Sequence, residues 1–232
     1  MPNKIAIITA RGGSKRIPKK NIKDFLGKPI ISYSIETALK SKLFDEVMVS
    51  TDDEEISKIA IQYGATVPFL RSKKNSDDFT GTAQVLIEVL EKYIEMGESY
   101  DHVCCIYPTA PFISSERLEK AYELMLNKNY KSVFPIVCYS SPIQRALRVS
   151  NSKVSMFQSD YINKRSQDLE KAYYDAGQFY WFQTKFFLKD KTLHTDMTGG
   201  IILSDFEAHD IDTPEDWEMA ELKYNINIKP NE

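Results

Sequence analysis

Short apolar runs alternate with segments of helical periodicity along most of this chain, and that alternation restricts the fold more than any other feature. Ile5, Ala6, Ile7 and Ile8 form an unbroken apolar run, which is how a strand covered on both faces reads. Residues 46–50 (EVMVS), 66–70, 103–107 (VCCIY), 132–137 (SVFPIV), 178–182 (QFYWF) and 199–203 (GGIIL) read as further strands. Between them, Ile30, Ile31, Tyr33, Ile35, Ala38 and Leu39 recur at roughly helical spacing behind Pro29, a residue suited to a first helical turn. A second helix is expected from the STDDEE segment to about Tyr63, capped by Thr51 or Asp52 and ended by Gly64. Val85, Leu86, Val89, Leu90 and Ile94 mark a third over 82–96, and further helices are expected over 114–127 and 214–224. This rhythm predicts an α/β fold with a mostly parallel sheet and helices on both faces, and ligands in such sheets bind beyond the carboxyl ends of the strands.

The chain has 232 residues, 42% hydrophobic and 27% charged, enough for one sizeable core, so residues 1–232 are expected to form a single domain. The rhythm breaks over 139–174, where two short strands around SNSK sit in a polar excursion from the sheet. No uncharged run reaches the roughly 18 residues of a membrane span, and no signal-peptide pattern precedes the first cations, so a cytoplasmic protein without a membrane partner is expected. Cys104, Cys105 and Cys138 lie in apolar runs without metal-ligand spacing and read as reduced thiols. The formal net charge of −3 disfavours a nucleic-acid surface. The polar tail after Asn225 is expected to fray.

Against this acidic balance, the first 23 residues carry seven Lys or Arg and no acidic residue. The double glycine Gly12 and Gly13 follows the first strand, where residues without Cβ can adopt positive φ and bring backbone N–H groups close to an anion. Arg11, Lys15, Arg16, Lys19 and Lys20 supply countercharge. The combination points to a polyphosphate site, the alternative being a solvated basic loop; the spacing is not that of a Walker A motif. At the other end of the chain, HDIDTPEDW places Asp210 and Asp212 on one face of an extended segment, where together they can hold Mg²⁺. Asp212 or Thr213 equally suits the cap of the last helix, with Pro214 in its first turn.

The complete string ARGGSKRIPKKN (residues 10–21) resembles the signature of the CMP-sialate synthetase family, cytidylyltransferases that activate eight- and nine-carbon 2-keto sugar acids. The likeness runs from about residue 4 to 224. It implies a three-layer α/β/α, Rossmann-like nucleotidyltransferase fold, with 139–174 as an inserted segment that pairs subunits into a homodimer and reaches toward the neighbour's sugar pocket. It further implies that Ala10, Arg11, Gly12, Gly13, Lys15, Lys20 and Asn21 hold CTP, with Arg71 next to the nucleotide and Thr80 or Thr82 at the cytosine. By the same resemblance Asp210 and Asp212 hold Mg²⁺, while Arg11, Lys15 and Asp212 carry the catalysis. YPTAPF (107–112) stands where relatives have QPTSPL, so Tyr107 replaces a glutamine beside Thr109 in the pocket between base and sugar. Arg165 and Gln167 match residues that face the sugar acid, and YDAGQFYW puts Asp175 and Gln178 where sialate enzymes have an Asn-Gly-Ala core. That octapeptide looks most like the branch that activates pseudaminic acid; sialic, legionaminic and Kdo-type acids are the alternative substrates. A non-catalytic nucleotide sensor is the alternative of a different class, and it would be expected to lack the aspartate pair.

Overall fold

The computed structural model describes residues 2–228. Strand β1 (Lys4–Thr9) is followed by a small hairpin, β2 (Asp24–Phe25) and β3 (Lys28–Pro29), and by helix α1 (Ile30–Ser41). Then come β4 (Glu46–Ser50), α2 (Glu54–Gln62), α3 (Thr82–Glu95), β5 (His102–Ile106), α4 (Ser115–Asn127) and β6 (Ser132–Cys138). A separate hairpin, β7 (Leu147–Ser150) and β8 (Lys153–Met156), precedes β9 (Tyr173–Asp175) and β10 (Phe179–Gln183). The chain continues through α5 (Thr184–Asp190), β11 (Thr198–Leu203) and α6 (Pro214–Ile228).

The main sheet runs β11-β6-β10-β5-β1-β4, with β9 paired to β6. β4, β1 and β5 are mutually parallel, as are β6 and β11, whereas β10 is antiparallel to both its neighbours. The period-2 geometry of β1 splits its apolar run between two cores. Ala6 and Ile8 pack with Ile35, Val49 and Trp181 on one face, and Ile5 and Ile7 with Met48, Leu86 and Phe182 on the other. Helices therefore cover both faces, giving the α/β/α layers of the expected Rossmann-like fold. Among the described residues, no helix is long and apolar enough to cross a membrane.

A third apolar cluster lies beside the sheet and joins Ile17, Phe25, Tyr33, Ile211 and Trp217, with Tyr224 packed against it. Its rings meet edge-on, Phe25 to Trp217 at 5.6 Å and Tyr33 to Tyr224 at 5.3 Å between centroids. Ile17 belongs to the basic loop and Ile211 separates the two aspartates, so this cluster clamps the two ends of the chain together.

Several expectations are corrected. Residues 66–70 form no strand but a single bridge, Met48 to Thr66, because Pro68 has no N–H to extend a ladder. The cap of α2 is neither Thr51 nor Asp52 but Asp53, whose carboxylate accepts from the N–H groups of Glu55 (2.7 Å) and Ile56 (3.0 Å). Pro29 stands just outside α1 as its N-cap. The last helix runs on past the expected end at Tyr224 to Ile228, and residues 229–232 of the tail expected to fray lie outside the described residues. The hairpin β2–β3, strand β9 and helix α5 were not read from periodicity, being too short to show one.

Candidate active site

β1 ends at Thr9, and the Ala10 N–H still bonds to the Ser50 carbonyl (3.0 Å), so the basic loop leaves the sheet at the carboxyl ends of β1 and β4. Ile17 pins the loop's middle in the third apolar cluster, and the Asn21 amide donates to the Arg11 carbonyl (2.9 Å), closing the loop on itself. The double glycine does not adopt the positive φ expected of it. Gly12 is needed for proximity instead: a Cβ there would lie 2.7 Å from Asp53 Oδ2 and 3.0 Å from its Cβ. Its N–H donates to Asp52 (3.0 Å), while a Cβ on Gly13 meets almost nothing.

The loop forms one wall of a cleft of about 490 Å³. Arg11, Lys15, Lys20 and Asn21 line it on that side; Arg71, Thr80 and Thr82 line it on another, and Tyr107 and Thr109 on a third. Arg71 is buried, its guanidinium donating to the hydroxyl (3.1 Å) and carbonyl of Ser50. Burial pulls its pKa down, opposed by Asp52 and Glu88. Tyr107 and Thr82 share a hydroxyl hydrogen bond of 2.9 Å, so the residue in the glutamine's place is tied to the opposite wall.

Asp212 completes the lining from the far end of the chain. Its carboxylate sits 2.9 Å from Arg16 Nη2 and 3.4 Å from Lys20 Nζ, and Lys20 also donates to the Ile211 carbonyl (2.7 Å). The cap of α6 belongs to Thr213: its hydroxyl accepts from the Asp216 N–H (3.2 Å), and the Asp216 carboxylate accepts from the Thr213 N–H (2.8 Å). That reciprocal capping leaves the Asp212 carboxylate available to the cleft. Ile211 between them is buried; Asp212 lines the cleft while Asp210 is not among the residues lining it, and desolvation plus the Asp212 charge raise the Asp210 carboxyl above its ordinary range. Two crowded hard-oxygen donors suit Mg²⁺, which takes one or two carboxylates and completes its shell with phosphate and water.

Asp210 faces the turn at Gly177, where a Cβ would lie 3.9 Å from its Cγ. Asp175 is fixed in that turn by the Gly177 N–H and the Tyr180 hydroxyl, both at 2.8 Å. Gln178 is buried, its side-chain amide N–H donating to the Glu207 carbonyl (2.7 Å) and its backbone carbonyl accepting from the Tyr107 N–H (2.8 Å). Arg165 and Gln167 are not brought to the cleft of this chain. They stand exposed on the excursion, the Arg165 guanidinium held by Asp168 three residues on (2.8 and 3.1 Å). Asp78 escaped the sequence reading: it lines the cleft and pairs with both Arg11 and Lys15, and it carried no signal within a polar turn.

Cations from residues 11–20 and an aspartate from residue 212 thus share one cleft above parallel strands, and a cytidylyltransferase family model matches residues 5–215. The chain belongs to the cytidylyltransferase family. This cytidylyltransferase is 46% identical to pseudaminic acid cytidylyltransferase of Campylobacter jejuni over 96% of its own length and 97% of the relative's. It is 34% identical to CMP-N,N'-diacetyllegionaminic acid synthase of Legionella pneumophila, again over 96% and 97% of the two chains. Its fold is similar to that of CMP:2-keto-3-deoxy-manno-octonic acid synthetase complexed with CTP, with a TM-score of 0.71 at 18% identity, covering 97% of this chain and all of that one.

Proposed function

We propose that the protein transfers CMP from CTP to the anomeric hydroxyl of pseudaminic acid, releasing pyrophosphate. The observation that carries the chemistry is the meeting of Arg11, Lys15 and Lys20 with Asp212 in one cleft. The similarity to pseudaminic acid cytidylyltransferase, together with Tyr107 and Asp175, supports the choice of sugar.

The reaction needs charge neutralisation and alignment of the attacking hydroxyl with the leaving pyrophosphate, with no covalent protein intermediate. Arg11, Lys15 and Lys20 bind the β- and γ-phosphates as charge-assisted donors, and Asn21 holds the loop that presents them. Ala10, Gly12 and Gly13 keep the backbone close to the nucleotide. Arg71 and Thr80 or Thr82 border the base, and Tyr107, Thr109, Asp175 and Gln178 shape the sugar side. Asp210 and Asp212 would hold Mg²⁺, which when bound would supply Lewis-acid neutralisation of phosphate and hydroxyl charge. Lys20 and Arg16 also pair with Asp212, so the same carboxylate stands against the cations of the phosphate loop.

The working form is a cytoplasmic homodimer. The excursion exposes Leu147, Val149, Val154 and Phe157, apolar side chains that a second subunit would cover. In that arrangement Arg165 and Gln167 serve the neighbour's sugar pocket. A pyrophosphate-release assay with CTP, Mg²⁺ and a panel of sugar acids tests the assignment. Turnover of N-acetylneuraminate or a legionaminic acid, with pseudaminate inert, would reject the sugar while leaving the reaction class in place.

A further inference from the structure

Each cation of the basic loop meets a carboxylate from a distant segment. Arg16 and Lys20 meet Asp212, Lys19 meets Glu55, and Arg11 and Lys15 meet Asp78. Asp78 differs from the others in how it is held. The carboxylate of Asp212 stands between a buried isoleucine and a capped helix, and Glu55 lies on α2. Asp78 rides on the tip of the 72–81 segment. The base of that segment is tied down by Glu88, which accepts from the Ser72 N–H and hydroxyl (both 2.8 Å) and from Asn75. Its tip keeps its own shape, the Asp77 carboxylate accepting from the N–H groups of Phe79 (3.0 Å) and Thr80 (2.7 Å), while Phe79 is 94% exposed. A locally bonded turn on a clamped base can swing without disturbing the core.

Phosphate oxygens would compete with the Asp78 carboxylate, because both need the same Arg11 and Lys15 donors and their like charges repel. We propose that Asp78 is an internal competitor for polyphosphate: it yields Arg11 and Lys15 to the incoming triphosphate, then returns to them and speeds release of pyrophosphate. This role rests on the phosphate-cleft reading given above. Removing the Asp78 charge should therefore tighten binding.

The test is calorimetric titration of the full chain with inorganic pyrophosphate and with CTP, for wild type, Asp78→Asn and Asp78→Ser. Both ion pairs are open to solvent and so are screened; their loss should tighten pyrophosphate binding about three- to tenfold and strengthen product inhibition by the same factor. Glu55→Gln removes an equal charge beside Lys19 without freeing Arg11 or Lys15, and should change pyrophosphate affinity less than about twofold. Unchanged or weaker pyrophosphate binding in both Asp78 variants overturns the proposal, as does an equal gain in Glu55→Gln. Lys15→Met separates the two readings. If it binds pyrophosphate as wild type does, the phosphate cleft itself is misassigned; if it loses binding while the Asp78 variants show no gain, only the competitor role fails.

Discussion

Gly12→Ala tests whether the basic loop is positioned by contact with the start of α2. The added methyl would sit 2.7 Å from Asp53 Oδ2, 3.0 Å from its Cβ and 3.2 Å from its Cγ. Rotating the Asp53 side chain relieves the first contact but not the second, because Cβ is fixed to the backbone. Rotation also abandons the hydrogen bonds to Glu55 and Ile56, and loss of such a cap costs about 1 kcal/mol. Pushing the loop and helix apart adds about 2 kcal/mol of overpacking, for a total near 3 kcal/mol. In a domain of this size each kcal/mol lowers Tm by about 2–4 °C, so the variant should melt about 6–12 °C early by calorimetry. Its KM for CTP should rise as well, because the shifted loop carries Arg11 and Lys15. Asp53→Gly removes the obstructing side chain, and glycine at a cap costs only a few tenths of a kcal/mol, so the double variant should recover most of the loss. Gly13→Ala, whose Cβ would find only Arg11 Nη1 at 4.0 Å, should stay within about 2 °C of wild type. A Gly12→Ala protein with wild-type Tm, or a double variant showing no recovery, would refute the reasoning.

Asp212→Ala should lower kcat at least about a thousandfold while leaving circular dichroism and melting close to wild type, since the α6 cap belongs to Thr213 and Asp216; near wild-type turnover would reject the metal assignment. Although burial acts to raise the Glu88 carboxyl, hydrogen bonds from Ser72 and Asn75 and from the Lys92 ammonium overcome it and hold the carboxyl down at about 2. A depressed carboxyl stabilises the fold above its unfolded pKa and loses that contribution as pH falls through the folded value. The stability gap between wild type and Glu88→Gln should therefore be widest above about pH 4.5 and shrink as pH falls toward 2, as read from urea midpoints. Tyr107→Gln breaks the 2.9 Å link to Thr82 and should cut kcat/KM for pseudaminate at least about tenfold, measured by pyrophosphate release.

The α/β class was legible because strand and helix patterns repeat with distinct periods, and a buried run such as IAII admits few other readings. The cation loop and the D-x-D pair were legible too, since charge clustered against an acidic average and alternating carboxylates both need a local cause. Neither pattern by itself revealed that the two would meet; only the family resemblance implied it. Their meeting depended on Ile17 and Ile211, unremarkable apolar residues that enter one aromatic cluster only after α6 has docked beside the β2–β3 hairpin. The requirement for glycine at position 12 likewise came from a tertiary neighbour, Asp53, and not from the φ its own backbone adopts. Asp78 was invisible because an acidic residue in a polar turn has no periodicity, and its partners lie more than sixty positions away. Periodicity and composition specify elements and gather charge because they act between near neighbours; which carboxylate faces which cation is decided by long-range packing, which brings distant segments to one side of the sheet.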